Sequence, residues 1–209
     1  MRTGVFRIGL GWLMGVGLAA AATAGPSTMN VIPTADTLPH REVVLMQSSA
    51  RQQGFERPTH SYSGLVGVAD RLELGFDADY AGGTTLNAKV RMLESKDGRF
   101  AVAGGFMNFR KQTGDGYVVA TSDIGAFRLH GGLLDDGERR WMAGFESVVF
   151  GDVILMAEHA SGRGGMTYAG FVAPLRGVCG ASFGFYVGKP NSRHKPGEHG
   201  AFVSYGFRL

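Results

Sequence analysis

Leu72-Glu-Leu-Gly-Phe-Asp-Ala-Asp-Tyr80 sets the reading of the whole chain. Taken two residues at a time it separates cleanly. Leu72, Leu74, Phe76, Ala78 and Tyr80 fall on one side; Glu73, Gly75, Asp77 and Asp79 fall on the other. Successive side chains of a strand point to opposite faces, so this is a strand with one apolar and one charged face. The same period recurs at the end of the chain. There Ala201, Val203, Tyr205, Phe207 and Leu209 alternate with Phe202, Ser204, Gly206 and Arg208. Between them, Phe127, Leu129, Gly131 and Leu133 alternate with Arg128, His130 and Gly132.

Extending this outward gives about twelve segments: 41–49, 60–68, 71–80, 84–94, 99–109, 117–123, 127–134, 139–150, 153–160, 165–174, 178–188 and 199–209. In the fifth, sixth and tenth the faces stay ambiguous, because small and apolar residues occupy both sides. Every second connection reads as tight: 69–70, 95–98, 124–126, 151–152 and 175–177. Those between read as polar and mostly longer: 50–59, 81–83, 110–116, 135–138, 161–164 and 189–198. A strand tilted through a bilayer needs ~9–11 residues. Alternating loop lengths with an even strand count are expected of a membrane barrel with its tight turns and both termini on the periplasmic side. The predicted fold is therefore all-β, an antiparallel transmembrane β-barrel of about 12 strands with both termini periplasmic. A periplasmic sandwich or lipocalin-like barrel would show the same alternation with its faces reversed.

The start of the chain gives the compartment. Arg2 and Arg7 precede an apolar run from Ile8 to Ala22, and Ala22-Thr-Ala24 closes it. A basic start, an apolar run of about 15 residues and a small-x-small site make residues 1–24 a predicted signal peptide. Its removal would take the formal net charge from +3 to +1, so the basic pI carries no argument for an anionic partner such as nucleic acid. Cys179 is the single cysteine, which excludes an internal disulfide framework. Thirty-four glycines without a Gly-X-Y period suit a curved sheet rather than collagen. Residues 25–40 form an extended lead-in in which Pro33 and Pro39 remove two backbone donors. It reads as a plain lead-in or as a small plug entering the lumen, and residues 41–209 as the barrel.

With the apolar face against lipid, the polar face lines the interior. The predicted inward groups are Glu73, Asp77, Asp79, Lys89, Arg91, Arg128, His130, Glu146 and Glu158. Setting Tyr80 opposite Thr84 would place Glu73 opposite Arg91. Opposed unlike charges hold register by roughly 0.2–1 kcal/mol per pair. Such a network either fills the lumen or lines a narrow pathway; twelve strands fall between the filled eight-strand barrel and the wide porins, so strand number does not decide. Catalytic constellations are thin. Glu158, His159 and Ser161 could supply a triad only if Glu158 and His159 shared a face, which strand geometry forbids. No catalytic residue, metal site or cofactor is therefore predicted. His194 and His199 lie in a polar loop with Lys189, Arg193 and Lys195, a basic stretch able to meet lipopolysaccharide phosphates. The expected partners are outer-membrane lipid and lipopolysaccharide, with a small solute or ion in the lumen. The predicted function is a narrow channel or envelope export accessory in the outer membrane. A structural barrel or a lipid-acting enzyme are the alternatives.

Two short motifs carry a resemblance. Ile32-Pro-Thr-Ala35 followed by Leu38-Pro39 resembles the lead-in of YjbH-like outer-membrane β-barrel proteins, a group linked to exopolysaccharide export. Ala69-Asp-Arg-Leu-Glu-Leu-Gly75 looks like a recurrent turn in those and other porin-like barrels. The resemblance implies a barrel and a role in envelope transport, and supplies no catalytic residue and no substrate.

Overall fold

The computed structural model describes residues 32–55, 57–79 and 83–209. The predicted signal peptide at 1–24 and the first part of the lead-in lie outside them. Twelve strands follow one another: Glu42–Gln52 (β1), Thr59–Ala69 (β2), Leu72–Asp79 (β3), Gly83–Glu94 (β4), Phe100–Arg110 (β5) and Thr113–Ile124 (β6). Then come Phe127–Asp135 (β7), Arg139–Val149 (β8), Val153–Ala160 (β9), Met166–Pro174 (β10), Ala181–Pro190 (β11) and Glu198–Arg208 (β12). Each pairs antiparallel with its sequence neighbours, and β12 pairs with β1 to close the barrel. The terminal segment does this along its whole length, from Glu42 opposite Arg208 to Gln52 opposite Glu198. Closure leaves no unpaired edge, which a lipid-facing sheet requires.

The faces sort as the alternation of β3 predicts. Leu74, Phe76, Leu86, Val90, Leu129, Leu133, Phe145, Val203 and Tyr205 point outward and are exposed. Their neighbours along each strand point inward. Exposed large apolar side chains thus ring the outer wall as a band that a soluble monomer does not carry. The ambiguous strands resolve too: Ala101, Ala103 and Met107 of β5, Tyr117 and Val119 of β6, and Tyr168 and Val172 of β10 are buried inside. The interior is therefore less polar than expected. An apolar cluster including Met46, Met107, Tyr117, Met142, Met156 and Phe202 crosses it.

Two expectations need correction. The alternation of loop lengths does not survive. The supposed loop 110–116 is almost all strand, because Lys111 and Gln112 alone make the turn, both in the left-handed region (φ 49° and 73°). Two successive positive φ values match the twist of a tight hairpin, so β5 and β6 pair on to Arg110 and Thr113. The supposed tight turn 175–177 instead runs from 175 to 180. The register of β3 on β4 also differs by two residues. Glu73 faces Lys89, Ala78 faces Thr84 and Asp79 faces Gly83, which leaves three residues in the connection. Gly83 sits at φ +94°, a conformation that closes such a hairpin and that a side chain disfavours.

Candidate functional site: a plugged lumen and an open vestibule

The lead-in turns into the barrel. From Pro39 it passes up the lumen to Ile32, and Ile32, Pro33, Thr34, Ala35, Thr37 and Leu38 are buried. Residues 32–38 thus lie inside the barrel wall. An extended segment has no helix or sheet to satisfy its amides, so each buried N–H needs a partner from the wall. The inward polar groups supply them. Leu38 N–H donates to Glu73 Oε2 (3.0 Å), Ala35 N–H to Thr121 Oγ1 (2.9 Å), and Ile32 N–H to Glu158 Oε2 (3.1 Å). At its base the segment passes so close to Gly67 that a β-carbon there would lie 2.0 Å from the Pro39 carbonyl oxygen.

The nine predicted inward residues do not form one network. Glu73 and Lys89 make a fully buried ion pair, 3.4 Å apart, and Glu73 also accepts from the plug. Arg128 is a second centre. Its guanidinium bonds Asp36 of the plug, and its Nε stands 3.3 Å from Asp123 and 3.8 Å from Glu146. His130 lies beside it, its Nδ1 2.9 Å from Thr121 Oγ1 and its Nε2 3.6 Å from Glu146, the latter too long for a hydrogen bond. Glu158 accepts from Ile32 N–H of the plug. Asp77 accepts from Asn87 Nδ2 at 2.6 Å. Arg91, expected opposite Glu73, instead reaches Glu94 (3.2 Å) and the Asp70 carbonyl (2.8 Å), because the two-residue change of register hands Glu73 to Lys89. Asp79 stands apart at the far mouth.

Among the described residues, the lumen beyond Ile32, on the side away from the chain terminus, holds a chamber of about 520 Å³. Ile32, Met46, Met107 and Phe202 contribute apolar lining, and Tyr168 and Tyr186 meet edge to face at 5.7 Å. Asp79, Asp115, Asp136, Glu158 and Glu198 line it, and among the described residues of its lining Arg140 is the one cation. Arg140 is itself engaged by Asp136 (3.1 Å) and Glu138 (3.4 Å). Sequence reasoning missed Asp115, Asp136 and Glu198. Asp115 and Glu198 lie at strand ends that had been read as loop, and Asp136 lies in the β7–β8 turn itself.

The triad weighed from the sequence does not assemble. Glu158 points inward, whereas His159 lies on the outer wall, packed on Trp141 at 4.8 Å and bonded to Thr167. Among the described residues no group of His, Cys, Asp and Glu could hold a metal ion.

No family model matches the chain, and no curated protein matches it. Solved structures do. The KdgM porin aligns over 79% of this chain and 99% of its own, at 12% identity and a TM-score of 0.56. The KdgM porin in complex with disordered oligogalacturonate aligns over the same shares, at 11% identity and a TM-score of 0.57. The fold is that of a porin-type outer-membrane barrel. This supports the porin-like half of the resemblance drawn from sequence and lends nothing to the YjbH-like half.

Proposed function

We propose that this protein is a small outer-membrane channel whose own N-terminal segment narrows the lumen, with both chain termini on the periplasmic side. The observation that carries the reading is the pairing of a closed barrel, apolar around its outer wall, with a plug whose buried amides are held by inward polar side chains. A barrel that served only as an outer wall would have no use for a segment threaded through its centre. The charge at the mouth bears on the solute. Five carboxylates against one engaged arginine give a negative field at the vestibule, which concentrates cations and repels anions. Oligogalacturonate, seen with the KdgM porin, is a polyanion, and this mouth disfavours such a cargo.

Planar-bilayer recording of the refolded protein tests the reading. Deleting residues 32–38 removes the part of the plug bonded to the wall and is expected to raise single-channel conductance several-fold. Asp136→Asn with Glu198→Gln is expected to reduce selectivity for potassium over chloride in that open variant. A second reading, a structural barrel without transport, draws on the apolar cluster that crosses the lumen. It predicts silence from both the full chain and the deletion variant, and that result would displace the channel.

A further inference from the structure

The rim that turns carboxylates inward carries cations on its outer side. The loop between β11 and β12 is held in shape from both flanks. Asn191 N–H donates to the Gly165 carbonyl (3.0 Å), its Nδ2 to Ala160 and Gly162 (2.8 and 2.9 Å), and Gln53 N–H to Gly197 (2.8 Å). Within this frame Lys189, Arg193 and Lys195 border a shallow basin of about 680 Å³ in whose lining there is no carboxylate. None of the three stands within ion-pair distance of an acid among the described residues. Glu198, the carboxylate at the exit of this loop, turns into the lumen and accepts from the Tyr168 hydroxyl at 2.8 Å.

The wall below completes the pattern. Going down β11 from the rim, the outward residues are Lys189, Val187, Phe185 and Phe183. On β10 they are opposed by Thr167, Ala169, Phe171 and Ala173. With a strand rise of about 3.3 Å, the change from cation to aliphatic takes roughly 7 Å and that to aromatic twice as far. Phosphate over acyl chain in an amphiphile has the same order and a similar spacing.

We propose that this shelf binds the phosphorylated headgroup of an outer-leaflet glycolipid of the lipid A type, its phosphates on Lys189, Arg193 and Lys195 and its acyl chains along Val187, Phe185 and Phe171. Charge complementarity selects this occupant, because a cluster of cations that no described acid pairs, beside an apolar wall, is satisfied by an anion that brings its own hydrocarbon. The assignment rests on the outer-membrane placement and on the rim facing outward, but it does not require the lumen to conduct.

The test uses the refolded chain in nonionic detergent, titrated with diphosphoryl lipid A and read by native mass spectrometry. Binding is expected to weaken by roughly fivefold for Lys189→Gln alone and by on the order of 100-fold for Lys189→Gln, Arg193→Gln and Lys195→Gln together. Lys111→Gln, in the turn across the barrel, is expected to bind as the parent does. All four positions are exposed, and heat-modifiable gel mobility reports that each variant has folded. Equal binding by the triple variant, or equal binding of lipid A stripped of both phosphates, would overturn the proposal. So would displacement of the lipid by an equal concentration of inorganic phosphate, which would mark a plain anion site. A protein that binds lipid A yet never conducts would leave this shelf standing and remove the channel instead.

Discussion

The two halves of the lumen are walled by the same twelve strands, yet their charges do opposite kinds of work. In the half nearest the chain terminus, Glu73 and Lys89 are fully buried and Glu73 is committed to a backbone amide of the plug. In the vestibule, Asp79, Asp115, Asp136 and Glu198 border open volume. Burial makes the difference. A desolvated charge must be matched on the spot, so it fixes a partner; a solvated one keeps its field and fixes nothing. The first half holds a segment of chain, and the second leaves its charges facing the lumen.

The largest effect is expected where that contrast is sharpest. Glu73→Gln keeps an acceptor for Leu38 N–H but takes from Lys89 the carboxylate 3.4 Å away. Removing one partner of a buried pair costs about 3–5 kcal/mol. Urea unfolding in lipid vesicles should show a loss of that size, and adding Lys89→Met should restore most of it. Glu198→Gln, the same exchange in the vestibule, is expected to cost within about 1 kcal/mol, since the amide still accepts from Tyr168. Equal costs at the two positions would break the comparison.

Gly67→Ala tests how tightly the plug is seated, without touching a charge. The new methyl would meet the Pro39 carbonyl oxygen at 2.0 Å and that of Leu38 at 2.6 Å, and both are backbone atoms that cannot rotate aside. Overpacking of this kind costs about 1–3 kcal/mol. The strain is expected to be relieved by displacing residues 32–38 rather than by opening the barrel. Limited proteolysis should then cut within the segment while the heat-modifiable barrel persists. Resistance equal to the parent's would mean the segment is seated by other contacts.

Much of this architecture was legible in the chain. Alternation in β3 and β7 displayed their faces because large apolar residues oppose charges there, and in β12 because Val203, Tyr205 and Phe207 oppose Ser204, Gly206 and Arg208. It failed in β5 and β10, where glycine and alanine occupy both sides and burial depends on what lies across the barrel. Of the lumen, the residue types at Glu73, Lys89, Arg128 and Glu158 could be read, but their partners could not. The register of β3 on β4 depended on where a three-residue connection begins, and a start one residue earlier than its glycines suggested moves every pairing by two. The largest omission was Thr121, an ordinary strand residue whose hydroxyl accepts from Ala35 N–H. A contact across 86 positions leaves no trace in local pattern. Loop length misled for a related reason: Lys111 and Gln112 turn the chain without glycine, and polarity had been taken for length.

The smallest effect is expected at Asp97, in the turn between β4 and β5, and it separates desolvation from hydrogen bonding. Asp97 accepts from Ser95 Oγ (2.6 Å) and from Arg99 N–H (3.2 Å), much as Glu73 and Glu158 accept from the plug. The Ser95 hydroxyl first, and then the Arg99 amide, hold its carboxyl below the usual carboxylate range. A lowered folded value means that the stabilisation is fully present above the unfolded value and is lost as pH falls through the folded one. Amide exchange at Arg99 should therefore quicken as pH drops below about 4, after correction for intrinsic rates, and Asp97→Asn should abolish that dependence. The unfolding midpoint should not move measurably, because this carboxylate is fully solvated whether or not its bonds form. A midpoint shift comparable to that of Glu73→Gln would show that the hydrogen bonds themselves, and not the burial around Glu73, set the strength of the packed half.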